Sequence, residues 1–263
     1  MFKIILAELC AELGIKCMNL SDNWVHVLTY KNQTRFIISA RFDLNNAASA
    51  SIADDKVATY SVLNEAKIPA IPHYLVMNTG FSHGRPFTNL DLLKNPCSSF
   101  PVVVKPNRGN SGRSVTLCNN QTEINNAAMK LIKSEGAACL SPFVDSTYEY
   151  RAFFLDGEIL YIYRKTRPEG SFRHNLSGGA HPEPIDQDSE LYRSLSALAS
   201  AAGKALGLRF ATVDMLETAD GPKVLEINQG VCAGIFAKTV PGGKEIAKNI
   251  YRKALQKLFD ISS

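Results

Sequence analysis

Apolar residues recur every three or four positions in several segments of the chain, which is the spacing of an amphipathic helix. This pattern predicts helices in five residue ranges: 2–9, 55–66, 122–134, 190–206 and 245–259. We expect the second helix to begin behind Ser51 or Asp54 as its N-cap. The third is expected to begin with Thr122 as its N-cap and to end before Gly136.

Shorter apolar runs that flank turn residues predict antiparallel strand pairs. The predicted hairpins pair residues 24–30 with 35–38, 150–155 with 158–164, and 213–216 with 224–228. Another strand is predicted over residues 100–106, with a returning strand at 115–117. Helices and hairpins mixed in this way predict an α+β fold.

The last of these hairpins carries oxygen ligands. Counting back from its Asp-Gly turn places Asp214 within one residue of a position opposite Glu226 or Ile227, and Glu226 and Asn228 share a face. Inward carboxylates in an apolar run bury charge unless a cation is present, and hard oxygen ligands favour magnesium bound together with substrate phosphates. For Glu226 alone, a solvated outer face is an equally good explanation.

A glycine-rich, basic segment follows the strand that delivers Lys105. It is Gly109-Asn110-Ser111-Gly112-Arg113-Ser114-Val115. Glycines let backbone amides approach phosphate oxygens, and successive amides form an anion-binding nest. The spacing fits neither the P-loop nor the dinucleotide-binding fingerprint, and taken alone an ordinary hairpin loop is the commoner explanation. Together with Lys105 and the distant acidic hairpin, the segment is predicted to be a flap over phosphates.

A series of short motifs lies along the chain in a fixed order. These motifs are Lys56 within residues 53–59, Val104-Lys105-Pro106, the glycine-rich segment, Glu149-Tyr150-Arg151, Phe172-Arg173-His174-Asn175-Leu176, Asp214 and Glu226-Ile227-Asn228. In them the chain resembles the ATP-grasp ligases over roughly residues 50–240. Within that superfamily it is most similar to the branch of the ribosomal-protein glutamate ligases and the ATP-grasp part of cyanophycin synthetase. The motifs together are specific for the fold and much less specific for the substrate.

The resemblance implies an ATP-grasp fold, in which two α+β lobes clasp ATP. Lys56 and Lys105 would contact the nucleotide phosphates, and Glu149 would meet the nucleotide near its ribose. The flap would close over the phosphates with these residues: Gly109, Asn110, Ser111, Gly112, Arg113 and Ser114.

The resemblance also implies the catalytic and metal-binding residues. Arg173 and Asn175 would reach the γ-phosphate and an acyl phosphate, and Lys105 would act with them in catalysis. One or two magnesium ions, for which manganese could substitute, would be held by Asp214, Glu226 and Asn228.

One departure from the family pattern concerns the adenine. Pro142 and Phe143 stand where the family usually has Gln or Glu followed by an aromatic residue. Pro142 supplies neither an amide nor an acidic side chain. We expect the Pro142 carbonyl and the Phe143 amide to contact adenine, so that nucleotide binding survives while the base preference stays open.

The resemblance divides the chain into three parts. Residues 1–52 would form a reduced N-terminal segment, residues 53–137 the central lobe with the flap, and residues 138–263 the C-terminal lobe with the metal site. Many ATP-grasp ligases use a larger N-terminal domain to help hold the substrate. We therefore expect substrate recognition from the C-terminal lobe, a partner subunit or a second chain, and a homodimer stays open.

The composition agrees with a globular protein, with 45% hydrophobic and 21% charged residues in 263. A net charge of +4 without a long basic stripe argues against nucleic acid and fits anionic small molecules. Six scattered cysteines form no Cys-x-x-Cys pair, so neither zinc nor a disulfide framework is indicated. We find no membrane span, and the start is predicted to be a helix and not a signal peptide, so the cytoplasm is the expected location.

The implied activity is that of an ADP-forming carboxylate–amine ligase, which makes an amide or peptide bond through an acyl phosphate. Its substrates would be an amino acid, a peptide or a small acid. Two alternatives stay open: an ATP-grasp kinase, and a nucleotide-binding regulatory or scaffold protein without turnover. His174 is either a base for the incoming amine or an exposed loop histidine. Arg164 and Lys165 either face phosphate or cap a strand in solvent.

Overall fold

The computed structural model describes residues 1–77, 88–89, 93–109 and 112–262 of the chain. Its helices are α1 (Phe2–Glu12), α2 (Ala47–Ala53), α3 (Lys56–Glu65), α4 (Gln121–Glu135), α5 (Glu190–Ala205), α6 (Phe236–Thr239) and α7 (Gly243–Phe259). Each of the five predicted helices is found. In the described ranges, no helix combines the length and the apolar character needed to cross a lipid bilayer.

The strands form three sheets. The N-terminal sheet has the order β1-β2-β3-β4 and contains β1 (Lys16–Leu20), β2 (Val25–Tyr30), β3 (Gln33–Ile38) and β4 (Arg41–Phe42). The central sheet has the order β6-β5-β9-β7-β8 and contains β5 (Tyr74–Met77), β6 (Thr88–Asn89), β7 (Val102–Pro106), β8 (Thr116–Cys118) and β9 (Ala137–Pro142). The C-terminal sheet has the order β12-β11-β10-β13-β14 and contains β10 (Tyr148–Leu155), β11 (Glu158–Thr166), β12 (His181–Pro184), β13 (Phe210–Leu216) and β14 (Lys223–Asn228). The α+β fold and all the predicted hairpins are thus confirmed.

Two helix starts differ from the sequence-based prediction. Asp55, and neither Ser51 nor Asp54, caps α3, because its extended backbone lets the side chain accept a hydrogen bond from the Ala58 amide at 2.9 Å. Asn120 caps α4 two residues before the predicted Thr122. The Asn120 side chain accepts a hydrogen bond from the Glu123 amide at 3.0 Å, and the Glu123 carboxylate accepts one from the Asn119 amide. Two backbone amides that the helix itself leaves without an acceptor are therefore hydrogen-bonded. The predicted end at Gly136 is confirmed.

The first and last parts of the chain share one core. Phe42 of the N-terminal sheet stacks on Tyr251 of α7 and meets Phe210 of β13 edge-on, with ring centroids 6.0 and 5.0 Å apart. Ion pairs add to the contact between α1 and α7, including Glu8 with Lys244 at 3.2 Å. Helix α1 and the N-terminal sheet are therefore packed against α7 and the C-terminal sheet.

The central sheet extends past the predicted lobe boundary at 137/138. Strand β9 pairs with both β5 and β7, so this sheet continues to Pro142. Helix α3 contacts both lobes: Val57 packs with residues of the central sheet, whereas Leu63 belongs to the core of the C-terminal sheet. The three-part division of the chain stays a prediction.

The strand registers bring the candidate site together. Glu149 on β10 lies opposite Lys165 on β11, Arg151 on β10 lies opposite Asp214 on β13, and Asp214 lies opposite Glu226 on β14. The predicted register of the last hairpin is therefore confirmed. On the other side of the cleft, the Lys56 amide at the start of α3 donates to the Asn107 carbonyl just after β7, at 3.1 Å. This bond places the start of α3 beside the strand that carries Lys105.

Candidate active site

A cleft of about 490 Å³ lies between the central and C-terminal sheets. The predicted site residues that line it are Lys56, Lys105, Gly109, Gly112, Arg113, Ser114, Pro142, Phe143, Glu149, Arg173, Asn175, Glu226 and Asn228. Asp214 is 1% exposed and lies beneath the surface of the cleft. Asn110 and Ser111 lie outside the described residues.

Two lysines reach the cleft from different elements. Lys56 Nζ donates to the Gly109 carbonyl at 2.8 Å and lies 3.6 Å from Glu226 Oε2, so it joins the flap to the acidic hairpin. Lys105 is 6% exposed at the end of β7, and burial lowers the pKa of its ammonium group. Removing an ammonium group from water destabilises its charged form, and a bound anion offsets this cost. Lys105 is therefore suited to an anionic ligand.

The flap and the loop after β11 touch each other. Arg173 Nη2 donates to the Val115 carbonyl at 2.5 Å. Gly112 has φ of +64°, and a Cβ added there would lie 2.9 Å from Cγ of Asn175. Position 112 therefore needs glycine both for its backbone conformation and for the approach of Asn175. Arg173 and Asn175 are thus held against the predicted phosphate loop, and their roles at the phosphates stay predictions.

The segment expected to contact adenine is arranged differently from the prediction. The Phe143 amide donates to the Pro101 carbonyl at 3.1 Å, because the end of β9 continues alongside the chain that enters β7. This amide is therefore not available to adenine, and the expectation for it was wrong. The Phe143 ring lines the cleft and meets Phe172 edge-on, with centroids 6.3 Å apart, so it offers an apolar surface to a base.

Four charged side chains form a buried group at the bottom of the cleft, which we call the floor network: Glu149, Arg151, Lys165 and Asp214. Arg151 binds Asp214 with two hydrogen bonds of 2.7 and 2.6 Å, the fork geometry that suits a carboxylate. Lys165 contacts Glu149 directly and lies 3.4 Å from Asp214 Oδ1. When both acids are ionised, the two positive and two negative charges balance.

Burial and charge act differently on the two acids of the floor network. Burial alone would raise the pKa of Asp214, but the Arg151 guanidinium and the Lys165 ammonium lower it to about 2. For Glu149, burial outweighs the Lys165 contact and raises the pKa to about 7. Asp214 is therefore a fixed anion at neutral pH.

Lys165 does not cap a strand in solvent and His174 is not an exposed loop residue, so these two expectations were wrong. Lys165 lines the cleft, and the alternative that it faces phosphate stays untested. Lys165 is 3% exposed and belongs to the floor network. Its neighbour Arg164 pairs with Glu183 on β12 instead. His174 is 7% exposed, its Nε2 donates to the Ser146 carbonyl at 3.1 Å, and its Nδ1 lies 3.8 Å from Glu149 Oε2. A role of His174 as a base stays untested.

The acidic hairpin offers a set of oxygen donors that fits a magnesium ion. Glu226 is partly exposed to the cleft, and the Asn228 amide donates to Glu226 Oε1 at 3.3 Å and to Asp214 Oδ2 at 3.1 Å. Magnesium usually binds one or two carboxylates together with substrate phosphates and water. Glu226 suits this pattern, and Asn228 would suit it through its side-chain oxygen, although its NH2 group is the part that faces the two carboxylates. Asp214 fits less directly, because both of its oxygens already accept from Arg151.

Arg151 and Lys165 are the site residues that motif comparison assigned no role. Arg151 was visible in the Glu-Tyr-Arg motif, and its position two residues from Glu149 places both on one face of β10. Its partner on β13 is 63 residues away, so the ion pair depends on a long-range strand pairing that no local signal reveals.

With the cleft described, comparison with known proteins identifies the family. A family model described as the RimK-like ATP-grasp domain matches residues 53–253. The chain belongs to this family. The RimK-like match confirms the predicted ATP-grasp fold and the branch that the motifs indicated, and with them the class of ADP-forming carboxylate–amine ligases.

Relatives and solved structures agree with the RimK-like assignment. The chain is 26% identical over 223 residues to a probable alpha-L-glutamate ligase of Vibrio parahaemolyticus, covering 82% of this chain and 68% of the relative. It is 28% identical, with the same coverage, to a protein of that name from Shewanella loihica. The fold is similar to that of the D-alanine–D-alanine ligase of Bacillus anthracis complexed with ATP, with a TM-score of 0.60, 21% identity, and coverage of 83% of this chain and 71% of the other.

Proposed function

We propose that the cleft binds magnesium-ATP and uses it to join a carboxylate to the amine of an amino acid or peptide. The observation that carries this proposal is the contact of 3.6 Å between Lys56 and Glu226. Lys56 begins the helix beside the glycine-rich flap, whereas Glu226 lies on the acidic hairpin of the C-terminal sheet. Lys56, a cation that could bind phosphate, thus meets Glu226, an oxygen ligand that could bind a metal, where the two lobes face each other.

The reaction needs two steps. A carboxylate oxygen of the first substrate attacks the γ-phosphorus of ATP, the bond to the β,γ-bridging oxygen breaks, and ADP leaves with that electron pair. The amine of the second substrate then attacks the acyl carbon, the carbon–oxygen bond to phosphate breaks, and inorganic phosphate leaves. One proton is released from the nitrogen. The products are an amide, ADP and phosphate.

The chain's own residues would bind and orient the reacting groups. Lys56 and Lys105 would hold the phosphates, while Arg173 and Asn175 would reach the transferred phosphoryl group from the loop that touches the flap. Glu226 and Asn228 would hold magnesium, or manganese in its place, and the bound ion would neutralise the charge of the phosphates. Arg151 would keep Asp214 ionised beneath them. Placing positive charge around a transferring phosphoryl group is the main source of catalysis in reactions of this kind.

The relatives support a choice of substrate class. They are named probable alpha-L-glutamate ligases, so we propose an acidic amino acid as the first amine to test. We also propose a cytoplasmic location, because all six cysteines, each within the described residues, are free thiols as in proteins of reducing compartments. A homodimer or a partner subunit stays a prediction.

The test is release of ADP and phosphate by the purified protein with magnesium-ATP and a panel of amino acids and dipeptides. Glu226→Gln serves as the inactive reference. We expect release that requires both an acid and an amine and that disappears in the variant. ADP formation with phosphate retained on a hydroxyl product would indicate a kinase. Tight ATP binding without turnover across the panel would indicate a regulatory binding protein.

A further inference from the structure

A second, smaller cavity adjoins the cleft behind the acidic hairpin. Its volume is about 240 Å³, below the range of roughly 300–1,000 Å³ typical of pockets for larger ligands. It shares Lys56, Arg108, Gly109, Glu226 and Asn228 with the main cleft. The cavity is therefore adjacent to the proposed phosphate and metal groups, yet too small to be a second nucleotide site.

The cavity receives its distinctive charges from outside the nucleotide motifs. Arg41 comes from the N-terminal sheet and Asp54 from the residue after α2. Arg41 Nη2 lies 3.3 Å from Asp54 Oδ2, with 47% and 32% of the two side chains exposed. Gln229, which follows the acidic hairpin, donates to the same Asp54 oxygen at 3.0 Å. Neither Nε of Arg41 nor Oδ1 of Asp54 takes part in these contacts.

The position of Arg41 is fixed by its neighbours. Phe42 is buried in the core shared with α7, and the Val231 amide donates to the Ala40 carbonyl at 2.9 Å. Gly230 packs beside the Arg41 side chain, where an added Cβ would lie 3.5 Å from Cγ of Arg41. The backbone of Arg41 is thus attached to the segment that follows Asn228, while its guanidinium group is half-exposed in the cavity.

A cation and an anion about 3 Å apart are the electrostatic complement of a zwitterion. An α-amino acid carries a carboxylate and an ammonium group on one carbon, and these match a guanidinium and a carboxylate held side by side. An anion alone would be repelled by Asp54, and an amine alone by Arg41. Arg108 also lines the cavity with 66% of its side chain exposed, and it adds positive charge that suits an acidic side chain.

We propose that this cavity binds the amine-donating amino acid, with its α-carboxylate on Arg41 and its amino group at Asp54. Because the α-carboxylate is held by Arg41, it is not the group that becomes phosphorylated. The N-terminal sheet then contributes directly to substrate recognition, which was expected from the C-terminal lobe, a partner subunit or a second chain. This inference rests on the proposed function for the role of the amino acid, but its binding site can be tested without turnover.

The experiment is calorimetric titration of the ADP-loaded protein with L-glutamate, glutarate and 4-aminobutyrate. Glutarate lacks the α-amino group, and 4-aminobutyrate lacks the α-carboxylate. We expect Arg41→Met to weaken L-glutamate binding by about tenfold or more while leaving 4-aminobutyrate unchanged. Asp54→Asn is expected to weaken L-glutamate similarly while leaving glutarate unchanged.

The Arg209–Asp156 ion pair provides a matched control, because its side chains are 46% and 26% exposed and it lies outside both cavities. Arg209→Met and Asp156→Asn are expected to change no affinity, and none of the four variants should change ATP affinity. If L-glutamate does not bind the wild type, the other L-amino acids are titrated, and binding by none of them overturns the proposal.

Equal losses for L-glutamate and both analogues, or a parallel loss of ATP affinity, would also overturn it. Turnover with an unchanged KM for the amine in Arg41→Met would retain the ligase and reject this binding site. Selective binding without any turnover would retain the site and reject the ligase.

Discussion

On the C-terminal sheet, the acids of the floor network are buried against Arg151 and Lys165, and each charge has a partner within the protein. Across the cleft, Lys105 is also buried, but among the described residues it forms no ion pair, and only the more distant charges of Glu226 and Glu149 attract it. One side of the site is thus electrostatically complete by itself, and the other is arranged to receive an anion.

This difference separates residues that stabilise the protein from residues that serve the reaction. Removing one member of a buried ion pair leaves an uncompensated charge and costs several kcal/mol. Removing a cation or a glycine that faces the ligand changes the folded state less and the reaction more. Variants on the two sides should therefore differ in which measurement they affect.

The largest effect is expected for Glu226→Gln, which removes a charged oxygen ligand from the cleft. We expect kcat to fall about 10²- to 10³-fold. Glu226 would hold the magnesium ion that neutralises the charge on the transferring phosphoryl group, and glutamine would hold that ion less tightly. The free energy of unfolding should hardly change, since Glu226 is partly exposed. Glu183→Gln on β12 is the matched control with similar exposure, and it should retain full activity. A loss of activity below about tenfold would contradict the proposed metal site.

Arg151→Met is expected to lower the free energy of unfolding by about 3 kcal/mol, measured by urea denaturation. Asp214 would stay buried with the Lys165 ammonium and the Asn228 amide as its remaining partners. The control is Arg164→Met on the adjacent strand, whose ion pair with Glu183 is more exposed and should contribute about 1 kcal/mol or less. Equal losses in the two variants would show that the floor network is no more important for stability than a surface pair.

Gly112→Ala is expected to reduce kcat/KM about tenfold, because the new Cβ would push Asn175 away from the flap. Gly170→Ala separates this effect from backbone strain: Gly170 has φ of +73°, and no atom lies within 4 Å of its added Cβ. Both variants should lose about 1 kcal/mol of stability from the left-handed backbone. If both lost activity alike, the contact with Asn175 would have no special role.

The smallest effect concerns the base of the nucleotide. Because the Phe143 amide is bonded to Pro101, it cannot help to distinguish adenine from guanine. One missing hydrogen bond contributes about 1 kcal/mol, so we expect the affinities for ATP and GTP to differ by less than about tenfold. Competition binding with a fluorescent ATP analogue would measure the ratio. A preference above about 100-fold would mean that other groups read the base.

Local signals predicted much of this molecule. The Asp-Gly turn placed Asp214 within one residue of its partner Glu226, and the order of the motifs indicated the family. The pairing of Arg151 with Asp214 was not predictable, because it depends on two strands that are adjacent in space but distant along the chain. The prediction for the Phe143 amide was wrong for a similar reason. Its hydrogen-bond acceptor, the Pro101 carbonyl, lies just before β7 and is distant along the chain.

The shared core of α1, the N-terminal sheet and α7 has a topological consequence. The beginning and the end of the chain form one body, and the central sheet is an excursion from it that begins at Tyr74 and ends at Pro142. The polypeptide crosses between the two bodies on entering and on leaving that sheet, and helix α3 contacts both of them. A cut in either crossing would therefore leave the lobe covalently tethered by the other.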